Sequence, residues 1–347
     1  MAVNVTVQPF GEYVAKPVSK YTITQAAGIQ VSIINYGATV TSIVVPDKSG
    51  APADVVLGFD TLHGYITYGH FYIGGICGRY ANRIANGRFQ INGREYQLSN
   101  NIEIGCLHGG FRGFDKKYWE ATILPEGDGV AFTYRSEDGE EGFPGTLVAT
   151  VTYRVIDNSL HIEYTGTSDK ASPVNLTSHS YFNLSGGNEN NILSHELQIN
   201  ASKIVEVGDG YVPTGKLVEI TKSPLDFTSH RKIGGENGEA NIYDYSWVVN
   251  KYNGELTEAA SLLYRPGGRR MIIYTTQPAV HFYSGHLLSE KIMGAKKGTV
   301  YGKYAGLCLE TQHFPDSPNH PEFPNTIIRP GEPYAEKTIY RFETMID

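Results

Sequence analysis

Cysteine is scarce and scattered in this sequence. Only three of 347 residues are Cys, at Cys77, Cys106 and Cys308, with no Cys-x-x-Cys. So sparse and odd a set excludes a disulfide framework and reads as structural thiols in a reducing compartment, so a cytoplasmic location is expected. No apolar run reaches the length of about 18 residues that a transmembrane helix needs. The first residues, Met1-Ala2-Val3-Asn4-Val5, lack the basic and apolar stretches of a signal peptide. Positive charge is in short supply: 29 Lys+Arg stand against 36 Asp+Glu, a net charge of −7. With no Lys/Arg cluster, nucleic acid and anionic membrane surfaces are excluded as partners. Helical periodicity is almost missing; Ser289 to Lys297 has room for a turn or two at most. Linkers, composition shifts and repeats of 20–50 residues are missing too. The expectation is one domain over residues 1–347, neither propeller nor solenoid.

What is abundant points to strands. Glycine is 39 of 347 residues, about 11% against a typical ~7%, and tyrosine reaches 24. Glycine-rich turns with many aromatic and β-branched residues suit numerous short strands. Tyrosines also suit sugar ligands, although each is as readily explained by cross-strand packing. The pattern period is two. Leu147, Ala149, Val151, Tyr153 and Val155 alternate up to the turn Asp157-Asn158, and Leu160, Ile162 and Tyr164 alternate after it. Phe89 and Ile91 precede Asn92-Gly93, the pair best suited to a type I′ turn, and Tyr96 and Leu98 follow. Leu262–Tyr264, Pro266-Gly267-Gly268 and Met271–Tyr274 form a third hairpin pattern. The fold class is all-β, a large antiparallel β-sandwich with very little helix.

Chemistry concentrates in three segments. Leu107-His108-Gly109-Gly110 runs on to Gly113-Phe114-Asp115-Lys116, where glycines allow sharp turns and close approach. In Asn175–Leu184, His179 interrupts a polar strand among small hydroxyls. In Glu310-Thr311-Gln312-His313, Glu310 follows the apolar Gly306–Leu309 and is placed at a strand's buried end. A carboxylate there is poorly solvated unless paired or used. Each residue alone reads first as a satisfied core group; together they supply a carboxylate and histidines for general acid–base catalysis. Other chemistries fit poorly. There is no Gly-x-Ser-x-Gly for a serine nucleophile, and Gly74-Gly75 and Gly78 open no helix that would cradle phosphate. No His-Glu-x-x-His or His-x-His supports a metal site. The sequons at Asn4, Asn175 and Asn183 read as chance matches.

With these motifs in hand, the chain resembles the galactose mutarotase (aldose 1-epimerase) family. The resemblance rests on Gly78-Arg79-Tyr80-Ala81-Asn82-Arg83-Ile84, on the His108 and His179 segments, and on Tyr243-Asp244. It continues through Thr275-Thr276-Gln277-Pro278, Phe282-Tyr283-Ser284-Gly285, Leu309-Glu310-Thr311-Gln312, Pro315-Asp316, Phe323-Pro324 and Arg329-Pro330-Gly331. It runs nearly end to end. It implies a galactose mutarotase-like supersandwich and cofactor-free interconversion of the α and β anomers of free aldohexoses such as galactose and glucose. By the same resemblance Glu310 is the catalytic base, His179 the acid and His108 a second active-site histidine. Asn82, Arg83 and Asp244 then bind substrate, and Arg83 is expected to orient Glu310 or a hydroxyl.

Two positions depart from the family pattern. Tyr245 stands where the family usually has His, and His281 where it often has a sugar-contacting Gln. His281 is retained as a substrate-binding residue, but both changes bear on which hexose is preferred. Two rival readings stand beside this one: another carbohydrate enzyme such as a glycosidase or lyase, where a glycosidase with Glu310 and Asp244 as its carboxylate pair leaves the histidines without a role, and a sugar-binding or sensing protein on the same scaffold. The expected partner is a small sugar, for a chain acting as monomer or weak homodimer.

Overall fold

The computed structural model describes residues 3–26, 28–235, 238–288 and 292–345. Three antiparallel sheets dominate. A five-stranded meander runs Val3–Tyr13, Lys16–Gln25, Gln30–Ile34, Thr39–Pro46 and Pro52–Asp54 in chain order. A nine-stranded sheet places Leu147–Ile156 beside Ser159–Ser168, then Tyr334–Thr344, Arg269–Thr275 and Thr257–Tyr264. A six-stranded sheet has the order Tyr181–Phe182, Leu307–Gln312, Ala279–Tyr283, Asp244–Val248, Lys203–Val207 and Pro213–Glu219. Among the described residues the one α-helix is Leu62–Thr67, which the sequence pattern did not suggest. Ser289–Lys291, in the stretch read as a possible helical turn, lie outside the described residues; Lys296–Gly298 forms a 3₁₀ turn.

All three expected hairpins form. Leu147–Ile156 pairs with Ser159–Ser168, and Asp157 and Asn158 take φ of 46° and 58°. Asn92 and Gly93, at 53° and 78°, close Arg88–Ile91 on Arg94–Gln97. Positive φ at both central residues is the type I′ turn whose twist matches the flanking strands. Thr257–Tyr264 pairs with Arg269–Thr275 across the Pro266–Gly268 turn.

One core draws on all three sheets: Val31 and Ile43 from the meander, Val151 and Ile162 from the large sheet, Phe282 and Leu309 from the six-stranded one. The six-stranded sheet positions the functional site because both of its faces are covered. One face meets the large sheet: the Thr311 hydroxyl bonds that of Thr338 at 2.5 Å, and the Tyr340 hydroxyl donates to the Leu309 carbonyl at 3.3 Å. The other face carries Cys308, Glu310 and Gln312 beneath irregular segments. Every residue of Leu307–Gln312 is buried, so hydrophobic alternation is lost along the strand. Glu310 therefore lies inside the strand, not at its end as the apolar run before it suggested.

The sequons at Asn175 and Asn183 are built into this interior. Asn175 accepts from the His313 amide at 2.9 Å, and Asn183 donates to the Ala305 carbonyl at 2.9 Å. Both side chains are buried, in keeping with their reading as chance matches.

Candidate active site

Strand register assembles the floor of the site. In the six-stranded sheet Glu310 pairs with His281, and His281 with Ser246. Two residues along, Cys308 faces Tyr283, and Tyr283 faces Asp244. Side chains two residues apart share a face, so these six residues form two adjacent rows on one surface. Residues distant in sequence thus become neighbours through the two-residue period alone.

Irregular backbone supplies the walls. Tyr72, Asn82 and His108 all adopt left-handed φ, at 56°, 65° and 50°. Such values are uncommon for residues with a side chain and cluster where function over-determines the backbone. The Asn101 side chain pins the His108 loop, accepting from the Leu107 amide at 2.7 Å and donating to the Leu107 and Gly110 carbonyls at 2.9 and 3.0 Å. Gly109, at φ 88°, lies so close to the Gly78 carbonyl that a Cβ there would fall 1.9 Å from its oxygen. Only glycine fits this approach. His179 enters from the break between Thr177–Ser178 and Tyr181–Phe182.

These pieces enclose a cavity of about 240 Å³, below the usual size for drug-like ligands and suited to one small polar molecule. Glu310, His179, His108, Asn82, Arg83, Asp244 and His281 all line it. The sequence reading missed several other wall residues, notably Tyr72, Tyr181 and Tyr283. Tyr72 packs its ring 4.6 Å from that of His108 and 5.7 Å from that of His179. The aromatic run Phe71-Tyr72 beside Gly74-Gly75 was the available signal, but nothing in it separates a wall from a core. Arg79, within the same motif as Asn82 and Arg83, takes no part: it is buried and donates to the Pro144 and Gly145 carbonyls at 2.8 Å.

Two buried carboxylates are shifted in opposite directions. Burial alone raises the pKa of Asp244, but the bond from His281 and the Arg83 guanidinium outweigh it and hold the group below its ordinary value. His281 Nε2 lies 2.8 Å from Oδ1, and Arg83 Nη2 3.1 Å from Oδ2. The side-chain hydrogen bonds of Arg83 thus go to Asp244 and, at 3.4 Å, to Asn82 Oδ1, and it acts on Glu310 through its charge, which pulls that carboxyl's pKa down. His281 is held at both ends, since its Nδ1 bonds the Ser246 hydroxyl at 3.0 Å. Glu310 has no such support. Burial first, then the negative charge of Asp244, push its pKa well above the carboxylate range, against a smaller pull from Arg83. Among the described residues its Oε2 has no hydrogen-bond partner, an arrangement that is costly in a buried group unless a ligand completes it.

The histidines shift the other way. Burial lowers His179 to about 3, and it lowers His108 well below its usual value. His179 Nε2 stands 3.6 Å from Glu310 Oε1. His108 Nδ1 accepts the Asn82 amide at 3.1 Å, which leaves the proton of the neutral ring on Nε2 as a donor. Cys77, His108 and Glu310, and likewise His179, Cys308 and Glu310, bring ligand-type atoms within 4.8 Å of one another. The donor chemistry suits a cation poorly. Burial raises both thiols well above their ordinary pKa, and the His108 lone pair is already taken. What the arrangement does offer is proton exchange, with a poorly solvated carboxylate facing a poorly solvated imidazole.

Residues 19–341 match the family model described as aldose 1-epimerase. A mouse protein named galactose mutarotase is 41% identical over 98% of this chain and 99% of its own. An Escherichia coli aldose 1-epimerase is 37% identical over 94% of this chain and 96% of its own. The crystal structure of an aldose epimerase homologue from C. elegans superposes with a TM-score of 0.86 at 30% identity, covering 93% of this chain and 98% of that one.

Proposed function

The chain belongs to the aldose 1-epimerase family, and from that premise we propose how its cavity interconverts the α and β anomers of a free aldose. The observation that carries the proposal is Glu310, buried, with Oε2 unpartnered and Oε1 3.6 Å from His179 Nε2. Glu310 takes the proton of the anomeric hydroxyl at O1. The C1–O5 bond breaks, its electrons go to O5, and O5 takes a proton from His179 Nε2. C1 and O1 become the aldehyde. Rotation about C1–C2 presents the other carbonyl face. The O5 hydroxyl then adds to C1, returning its proton to His179 while Glu310 returns one to O1.

The local electrostatics favour this cycle. In the ring-opened state Glu310 is protonated and His179 neutral, the distribution that burial stabilises in both groups. Desolvation therefore lowers the energy of the intermediate relative to the closed sugar. The anomeric hydroxyl offsets the bias in the closed state by donating to the ionised Glu310. His108 donates from Nε2 to the opening sugar. Asp244, kept ionised, accepts from the ring hydroxyls, while Arg83, Asn82 and His281 hold that end of the cavity. Galactose, named for the mouse relative, and glucose are the proposed substrates. The direct test is polarimetry of freshly dissolved α-D-galactose and α-D-glucose: faster decay to the same final rotation supports the proposal, and decay at the buffer rate for both overturns it.

Asp244 separates binding from chemistry. Replacing it with Ala removes the hydroxyl acceptor and leaves Glu310 and His179 in place. KM is expected to rise about tenfold or more with kcat changed by only a few-fold, the pattern of lost uniform binding. Asp244→Asn, which keeps the bulk between Arg83 and His281, guards against misfolding. An unchanged KM in both variants would remove Asp244 from the sugar-binding set.

The pH profile follows from the opposed shifts. The active enzyme holds one proton on the Glu310–His179 pair. A second proton, on His179, blocks exchange at low pH; loss of the shared proton, from Glu310, blocks it at high pH. Because burial lowers His179 to about 3, the acid limb of kcat/KM is expected to lie well below the usual histidine value of about 6.5, while burial moves the Glu310 limb upward. The two limbs belong to the pair as a unit. An acid limb centred near 6.5 would contradict the assignment.

A further inference from the structure

Cys308 lies on the same strand face as Glu310, one row away, with Sγ 3.4 Å from His179 Nδ1. No reading of the sequence gave it a role beyond structure. The surroundings of His179 make the contact informative. Its ring is boxed by Tyr72, His108, Tyr181 and Tyr283, with centroids 5.7, 5.2, 5.1 and 6.5 Å away. Those contacts fix its plane and leave its two nitrogens facing different groups, Nε2 toward Glu310 Oε1 and Nδ1 toward the Cys308 sulfur.

Proton bookkeeping then restricts the tautomer. In the cycle above, Nε2 loses a proton to O5 on ring opening and regains it on closure. In the open state His179 is neutral with an empty Nε2, so its remaining proton sits on Nδ1. That proton needs an acceptor at each turn of the cycle, because a neutral imidazole with its proton on Nε2 has no lone pair there to receive the O5 proton. We propose that Cys308 is the positioning residue for His179: its sulfur accepts the Nδ1–H and so reserves Nε2 for the sugar. Sulfur is a weak acceptor, strong enough to set a tautomer without raising His179 out of its working range. The thiol touches neither sugar nor Glu310 proton in this scheme. It parallels the residue that orients the base in other acid–base sites.

The inference rests on His179 as the acid, and the experiment separates the two. Nitrogen-15 NMR of histidine-labelled protein, with the His179 signal assigned by its loss in His179→Gln, reads the tautomer of the sugar-free wild type directly. The expected result is a neutral ring protonated at Nδ1. In Cys308→Val, which fills the space but accepts no hydrogen bond, the ring is expected to shift toward the Nε2–H form. Its kcat should fall about 10–100-fold, the usual effect of removing an orienting partner, with KM little changed. Cys308→Ser, which restores an acceptor, is expected to recover part of the loss. A wild-type ring protonated at Nε2 overturns the inference even if Cys308→Val fails to fold. So does a folded Cys308→Val with unchanged tautomer and kcat. If His179→Gln instead keeps its kcat, the failure lies in the acid assignment.

Discussion

Glu310→Gln is expected to lower kcat by about 10²–10⁴-fold, the range that one positioned acid or base supplies. That corresponds to about 3–5 kcal/mol of transition-state stabilisation. Glutamine preserves the shape of the side chain and can still hydrogen-bond a sugar hydroxyl, so KM should change little. It cannot take the O1 proton. Stability should not suffer either. Glu310 is among the least exposed residues of the chain, its Oε2 lacks a partner, and burial already disfavours its charge. A neutral amide in that place avoids the penalty of a buried, half-satisfied carboxylate. A folded Glu310→Gln protein with full polarimetric activity would remove Glu310 as the base.

His179→Gln should show the second large effect, a fall in kcat of similar size. Here the missing step is proton delivery to O5. Without it the C1–O5 bond must break toward an alkoxide in a cavity that solvates charge poorly, and the loss should appear in kcat and kcat/KM together. The fold should tolerate the change, because the aromatic rings around His179 and the short strands on either side remain. A change confined to KM would make His179 a binding residue and leave the acid unassigned.

Much of the fold was legible from the sequence where local chemistry decides. Asp157-Asn158 and Asn92-Gly93 announce their turns because few other residues accept positive φ twice in succession, and the strands flanking them alternate because one face meets the core. The reading weakens where both faces are buried. Gly306-Leu307-Cys308-Leu309 looks like an approach to a strand end, yet the strand Leu307–Gln312 carries Glu310 inside it under a second layer of chain. The helix Leu62–Thr67, only six residues long, is too short to display a period.

The site divides along similar lines. All seven residues picked from the sequence line one cavity, because the family motifs carry them and strand register collects them. Their mutual partners were not legible. Arg83 was expected to orient Glu310 or a hydroxyl; its ion pair is with Asp244, fixed by the approach of Asn82-Arg83 to the first residue of Asp244–Val248, and it bears on Glu310 through its charge. His281, anticipated as a hydroxyl contact in place of glutamine, has both nitrogens engaged, by Ser246 and Asp244. Its effect on hexose preference is therefore expected to run through the Asp244 carboxylate. Tyr72 and Tyr283 could not be singled out among 24 tyrosines, since an aromatic wall and an aromatic core look alike in sequence.

The central claim is that Glu310 and His179 act as one proton-exchanging unit. Polarimetric kcat for Glu310→Gln, His179→Gln and the double variant tests it most directly. If each residue works only with the other, the double variant should be no slower than the slower single one, as for residues that operate together. If the two losses multiply, the residues act independently and the paired mechanism is contradicted.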